Sequence, residues 1–299
     1  MRKLLLLITC ALLFIKCSKP DKPDLPNDGE ITIAADESLK PIIDAQVMAY
    51  NAHYPKAVLH VRYLPEQKAM SLMLSDSVDI AVTTREATPN EQSFFASKKI
   101  AYLPARMALD GVALIVNPEN PMEHISLKEL KDMFDGKTHT DYKLVFDNSS
   151  SSNLNYMMQK LQIKDINKAN IFAANGNKDV IEYIKKNPKA IGVIGGNWIS
   201  DLDDQNSRVF ISSIKVLGVS ASENPGESDY YKPTTESLRA RKYPLERRIY
   251  LHTMDHFGLT KAFTRFSCAQ IGQLVVEKSG LIPYYVYPKG VIINREQPK

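Results

Sequence analysis

Asp79-Ile80-Ala81-Val82-Thr83-Thr84-Arg85 decides how this chain is read. An apolar strand core there runs straight into two hydroxyls and a guanidinium. Short apolar runs of this kind form strands buried on both faces, under helices, and open α/β sheets hold their ligands at the carboxyl ends of such strands. Two hydroxyls and an arginine at a strand end suit an anion. The plainer alternative is a turn whose arginine pairs with a surface carboxylate.

The same logic extends outward in both directions. Residues 30–35 read as a strand and 39–54 as a helix, with Ile42, Ile43, Val47 and Tyr50 at helical spacing and Asp36 or Ser38 placed to cap it. Residues 57–63 alternate as a half-covered strand, and 66–74 read as a helix. Strand, helix, strand, helix, strand is the order of a parallel sheet covered by helices.

Residues 111–117 form another apolar run, closed by Pro118 and Pro121. Past that break, Ser126-Leu127-Lys128-Glu129 fits a capping box and opens a helix to Phe134. A strand over 143–146, the serines 149–152, helices over 154–161 and 179–186, and a strand over 190–194 follow. Residues 211–219 read as one long strand, suited to crossing between two halves of the molecule. A polar stretch over 220–231, the stretch 243–250 and two closing helices within 258–279 complete the pass.

Length and composition fit two lobes of ordinary size: 299 residues with 44% hydrophobic content. Residues 1–16 read as an export signal, with Arg2 and Lys3 before an apolar stretch. Cys17 is expected to be the lipidated first residue of the mature chain, although Lys16 stands where a small residue is usual. The apolar run is shorter than the ~20 residues a spanning helix needs. Residues 17–29, rich in proline and charge, read as a flexible tether.

Cleavage after residue 16 removes three of the 38 basic residues and none of the 34 acidic ones, so the formal charge falls from +4 to +1. Nucleic-acid binding, which needs a concentrated basic face, is not expected. Of the three cysteines only Cys268 lies in the folded part, which excludes an intramolecular disulfide there and a cysteine-rich metal site.

Three further stretches could carry chemistry. Asn148-Ser149-Ser150-Ser151-Ser152-Asn153 lies between a strand and a helix, where hydroxyls and free N–H groups crowd a helix amino end and favour an anion. A serine-rich loop with one capping residue is the alternative. His252-Thr253-Met254-Asp255-His256 would set two imidazoles on one face if helical, but Thr253 stands where zinc hydrolases need a glutamate, so a metal-dependent hydrolase is the weakest reading. Gly192-Val193-Ile194-Gly195-Gly196 lacks the Lys-Ser/Thr of a phosphate loop and reads as a strand and turn. No Gly-x-Ser-x-Gly elbow is present, and nothing demands an enzyme, a metal or a cofactor.

Taken together, several segments resemble the periplasmic phosphate-binding proteins of bacterial ABC uptake transporters, within the two-lobed periplasmic-binding-protein superfamily. They are 79–85, 110–121, Leu127-Lys128-Glu129-Leu130 with Phe134-Asp135-Gly136-Lys137, 190–194, Tyr243-Pro244-Leu245-Glu246-Arg247, and Gly272-Gln273 with 279–283. They run in this order over nearly all of residues 30–295. The resemblance implies an α/β fold of type II: mixed, mainly parallel sheets covered by helices, with the ligand in a cleft between the lobes. One lobe would hold residues 30–116 and 220–299, the other 117–219.

The resemblance also implies a site. Asp36, Glu37, Ser38, Thr83, Thr84 and Arg85 would face the ligand from one lobe, and Ser150, Ser151, Ser152 and Asn153 from the other. The family's first loop is rich in Gly, Ser and Thr, whereas here it is Ala34-Ala35-Asp36-Glu37-Ser38. The family's second-lobe arginine is missing before the serines, which leaves Arg85 as the expected cation beside the ligand. Asp36 is expected to accept the proton of a monoprotonated oxyanion. The implied partners are phosphate, a membrane permease and, through the lipid, a membrane; the protein is expected to be a monomer. A sensor or interaction module that no longer binds phosphate is the competing reading.

Overall fold

The computed structural model describes residues 25–137, 142–164 and 170–287. The expected signal sequence and lipidated Cys17 lie outside the described residues. The first strand, β1 (Asp28–Asp36), starts two residues ahead of the sequence reading, and Leu25 already bridges to Asp28, so the expected tether ends earlier.

β1 pairs in parallel with β2 (Lys56–Leu64) and β3 (Ile80–Thr83), Ile33 standing opposite both Val61 and Ile80. The crossovers run through helices α1 (Lys40–His53) and α2 (Glu66–Leu74). Parallel register brings the carboxyl ends of these strands to one edge, so Asp36, Pro65-Glu66 and Thr83-Thr84 become neighbours there. Residues alternate between the two faces of the sheet: Ile33 and Ile80 enter a core with Ile43 and Phe263, while Ala34 and Ala81 enter another with Met70 and Phe95. Apolar side chains on both faces explain why the strands lack polar alternation.

α3 (Pro89–Ser97) was not anticipated, yet it carries a capping box between Thr88 and Glu91 and a proline in its first turn. β4 (Ala105–Val116) is the strand that joins the two halves. Its first part pairs antiparallel with β11 (Glu246–His252), and residues 112–116 pair antiparallel with β8 (Ala190–Gly195). With the strands Lys143–Phe146 (β6) and Ile171–Ala173 (β7), they give one continuous strand order, β2-β1-β3-β11-β4-β8-β6-β7.

The second lobe repeats the architecture. β5 (His124–Ser126) leads into α4 (Leu127–Phe134), whose Ser126/Glu129 capping box is formed as the sequence reading expected. β6 (Lys143–Phe146) is flanked in parallel by β8 and β7 (Ile171–Ala173), and α5 (Ser152–Lys160) and α6 (Asn177–Lys186) lie between these strands in sequence. Leu114, Phe146 and Ile191 build one core, and Ile115, Val145 and Ile194 the other.

Residues 211–219 do not form the long crossing strand expected of them. They complete α7 (Gln205–Ser213) and continue as β9 (Lys215–Val216) and β10 (Gly218–Ser220). Asp204 caps that helix, and Phe210, Ile211 and Ile214 pack beside Trp198, a spacing that a helix satisfies and a strand does not. α8 (Thr235–Arg239) follows, and Leu238, Tyr243 and Leu245 pack into the core built around Leu114 and Phe146. α9 (Gly258–Cys268), α10 (Gln270–Lys278) and β12 (Ile282–Pro283) close the first lobe.

Candidate functional site

The chain leaves β1 at Asp36, which is buried and has both carboxylate oxygens engaged. Oδ1 accepts from Ser38 N at 3.0 Å, from Ser38 Oγ and, across the lobe boundary, from Ser152 Oγ at 2.8 Å. Oδ2 accepts from Glu66 N at 3.0 Å, at the start of α2. Asp36 caps the short turn Glu37–Leu39 rather than α1, whose first turn has no side-chain cap.

Glu37 points the other way, into the second lobe. Its carboxylate accepts from the backbone N–H of Asn177, at 3.1 and 3.3 Å for its two oxygens, and from Asn177 Nδ2 at 2.5 Å. Burial pushes the Glu37 carboxyl up to about 7, the Asn177 hydrogen bonds opposing and the charges of Asp147 and Asp36 reinforcing the shift.

The serine run behaves unevenly. Ser151 is the N-cap of α5 and also donates to Asp147 Oδ1, while Ser150 is exposed. Ser152 reaches Asp36, and Asn153 is buried with its Nδ2 on Asp147 Oδ1 at 2.9 Å. Asp147 itself is pushed up to about 6 by burial and by the negative charge of Asp36, with Ser151 and Asn153 opposing.

The cation at this junction is Arg247, not Arg85. Arg247 sits on β11 with a side chain 1% exposed, and its Nε and Nη2 donate to Asp110 Oδ2 at 3.1 and 2.8 Å. Its Nη1 donates to Asn153 Oδ1 at 2.8 Å in the second lobe, and Nη2 donates to Ser38 Oγ at 3.1 Å. The charge missing before the serines is thus replaced from a different strand. Alternation along β11 carries the signal: Arg247, Ile249 and Leu251 share the inward face, so an arginine there enters a core unless it is paired.

Arg85 is occupied elsewhere. It makes a two-pronged bond to Glu91 at 2.7 and 2.9 Å, and its Nε lies 3.5 Å from Glu66 Oε1. Thr84 donates through N and Oγ1 to Glu66 Oε2, at 3.1 and 2.9 Å. Burial and the Asp36 charge raise Glu66, while Thr84 and Arg85 lower it. Thr83 Oγ1 faces away, toward Arg85 O at 2.7 Å and His252 Nε2 at 2.9 Å.

His252 ends a strand and is buried, stacked on Tyr102, while His256 lies beyond a bend. The helical spacing that would put both imidazoles on one face does not exist here. Burial lowers His252 to about 4, so it stays neutral near pH 7. Among the described residues no cluster of His, Cys, Asp and Glu is arranged to hold a metal ion.

Gly195 lets the lobes approach closely at this point. A Cβ there would lie 2.5 Å from Ser38 O and 2.7 Å from Arg247 Nη2. From the second lobe, Asn197 Nδ2 and Trp198 Nε1 donate to that same Ser38 carbonyl at 2.8 and 3.1 Å. Gly195→Ala is expected to lower the urea midpoint by the equivalent of about 1–3 kcal/mol, the range for overpacking. Gly226→Ala, whose added Cβ would meet Asp229 Oδ2 only at an ordinary contact distance of 3.7 Å, is the control and should change it little. Equal midpoints for the two variants would refute the close-approach account.

Strand order, buried carboxyl-edge residues and two lobes in contact define the architecture. A sequence profile of the PBP superfamily domain matches residues 21–270. The chain belongs to the PBP superfamily. The two-lobed, helix-covered α/β fold expected from the sequence is therefore the fold observed.

The phosphate-binding protein PstS 2 of Streptococcus agalactiae is 27% identical over 112 residues, a match spanning 38% of this chain and only 36% of that protein. PstS of Staphylococcus haemolyticus is 22% identical over 247 residues, 78% of this chain and 72% of that protein. Among solved structures, an ABC transporter substrate-binding protein from Clostridium perfringens, with bound phosphate, superposes with a TM-score of 0.73. It is 18% identical and is covered in full, against 86% of this chain. At that identity the likeness is one of fold.

Proposed function

We propose that this PBP-superfamily protein captures a tetrahedral oxyanion, phosphate foremost, and hands it to the permease of an ABC uptake transporter. One observation carries the reading: donors from both lobes meet at a single oxygen. Ser38 N, Ser38 Oγ and Ser152 Oγ all point at Asp36 Oδ1, and Arg247 Nη2 stands on Ser38 Oγ. Hydroxyl, amide and guanidinium donors gathered from both lobes are what the oxygens of an oxyanion require, and Asp36 stands among them as an acceptor. The named phosphate-binding relatives support phosphate as the ligand.

Asp36 would accept the proton of a monoprotonated oxyanion, a hydrogen bond that sulfate does not offer. Ser38, Thr84, Ser152 and Asn153 would orient the ligand, and Arg247 would supply the positive charge. The protein binds and releases its ligand without turnover. Residues 30–116 with 220–299, and 117–219, remain our lobe division, with 220–245 placed at the seam because Leu238, Tyr243 and Leu245 pack with second-lobe side chains. Residues 1–16 as an export signal and Cys17 as the lipidated residue would place the protein in the periplasm, anchored to a membrane by lipid. Among the described residues no helix is long and apolar enough to cross a membrane.

Isothermal calorimetry on the purified full chain in detergent is expected to give phosphate a Kd in the micromolar range or below, about −8 kcal/mol or better. Sulfate should bind at least about tenfold more weakly, the worth of 1.4 kcal/mol. Absence of heat with phosphate, sulfate, molybdate and tungstate alike would overturn the reading. That outcome favours the second one, an interaction module, which the gathering of Asp36, Glu37, Glu66 and Asp147 supports because like charges in a partly dry cleft repel a dianion.

A further inference from the structure

A cavity of about 640 Å³ is walled by α1 of the first lobe and by the turn after β8 and the start of α7 of the second. Its size is that of a small-molecule site, roughly 300–1,000 Å³. Trp198 and Phe210 supply an aromatic wall, their rings 6.3 Å apart, and Met48 of α1, 72% exposed, supplies an apolar one. Asn197 and Ser207 border the same cavity, are 2% and 3% exposed, and each keeps a buried oxygen, Oδ1 and Oγ, with no hydrogen-bond partner. Buried polar atoms are nearly always paired, so two orphans beside one cavity point to a group that the protein does not itself supply.

Water supplies hydrogen bonds but no charge, and the walls are not neutral. Lys40 and Asp44 pair at 2.7 Å and cancel, which leaves the carboxylates of Asp201, Asp203 and Asp204 against the ammonium of Lys178, three negative charges to one positive. The carboxylates are held in place: Asp201 Oδ1 accepts from the backbone N–H of Asp203 and of Asp204, and Asp204 Oδ2 accepts from Ser207 N at 2.8 Å, beside the orphan hydroxyl. We propose that this cavity is a second ligand site, one that takes a small organic ammonium. Its head would donate to Ser207 Oγ, Asn197 Oδ1 and the carboxylates of the 201–204 turn, and its apolar body would lie against Trp198, Phe210 and Met48. An ammonium carries donors and no acceptor, which suits an amide oxygen that can only accept, and a cation gains further from a tryptophan ring face. Anions are repelled by the same carboxylates. The site owes nothing to the oxyanion reading, although Asn197 and Trp198 also donate to Ser38 O.

Trp198 is the one tryptophan of the chain, so its fluorescence reports on the cavity directly. Titrating the purified full chain in detergent with 2-phenylethylammonium, and with the slimmer n-hexylammonium, is expected to shift its emission saturably with at least one of them. The near-isosteric 2-phenylethanol and 3-phenylpropionate, uncharged and oppositely charged, should bind at least about tenfold more weakly than 2-phenylethylammonium. Ser207→Ala removes an oxygen that has no partner in the protein, so the thermal midpoint should hold while the ammonium binds about three- to tenfold more weakly, the worth of one hydrogen bond. Asp203→Asn, at an exposed position, should also weaken it. No saturable shift with either ammonium, equal affinity for the charged and uncharged probes, or an ammonium affinity unchanged in both variants would overturn the proposal.

Discussion

Replacing Arg247 with methionine is expected to lower the stability of the protein by about 3–5 kcal/mol, the range for breaking a buried ion pair from one side. The side chains of Arg247 and Asp110 are 1% and 0% exposed, so truncation leaves Asp110 as a buried charge with no counter-charge. Asn153 Oδ1 and Ser38 Oγ lose a donor at the same stroke, and the lobes lose one of their direct bridges. Urea unfolding followed by tryptophan fluorescence measures the effect. The double variant Arg247→Met/Asp110→Leu is expected to recover most of it, because a well-packed apolar pair replaces a buried ion pair at little net cost. A single variant within 1 kcal/mol of the parent chain would show that Arg247 is neither buried nor paired in solution. The single variant should also lose phosphate binding, since Arg247 is the cation that the reading places beside the ligand.

The second large effect is a fall in stability as pH rises from about 4.5 to 7. Glu37 is held at about 7 in the folded protein against 4.5 for the free side chain, with burial as the main cause. Below 4.5 the folded and unfolded forms both hold this proton, and the advantage of the neutral buried group is intact. Between 4.5 and 7 the unfolded chain releases the proton while the folded protein keeps it, so stability drops. Above 7 both forms are ionised and the loss is complete. A shift of this size corresponds to about 3 kcal/mol, trimmed to about 2 kcal/mol because Glu37 is not wholly shielded from water. Asp147, raised from 3.8 to about 6, acts in the same direction over a lower window. Urea midpoints at intervals from pH 4 to 8 should slope downward for the parent chain and less steeply for Glu37→Gln. Parallel curves for the two would rule out Glu37 as the titrating group.

The sequence reading placed the elements well wherever one periodicity dominated. Ile80-Ala81-Val82 and the run from Val112 to Val116 are strands because every residue is apolar and both faces are covered. Ser126-Leu127-Lys128-Glu129 starts a helix because its side chains satisfy the first-turn N–H groups locally. Residues 211–219 misled because β-branched residues are common there, while the Asp204 cap and the packing of Phe210 and Ile214 on Trp198 hold a helix through Ser213.

The site was legible in part. Asp36, Glu37, Ser38, Ser152 and Asn153, all named from the sequence, meet at the lobe junction. Arg85 reads from the sequence as the cation of the cleft, yet Glu91 lies six residues downstream in a capping box and claims it. Arg247 and Asp110 lie in stretches that carry the resemblance but were not assigned to the site, and neither were Glu66 and Asn177, because the four come from separate stretches of chain and meet only in the folded protein.

What the sequence determined alone is the set of local choices: strands buried on both faces, capped helices, and polar residues at strand ends. Backbone hydrogen bonding and side-chain periodicity act over a few residues, so neighbours in sequence are enough to specify them. Pairing across the seam was decided by the tertiary structure. Strand register sets Arg247 against Asp110, Gly195 lets the backbones close, and Glu37 reaches Asn177, 140 positions further along the chain. Charges buried that far from one another in sequence find partners only when the lobes pack, and no local pattern records which partner each will take.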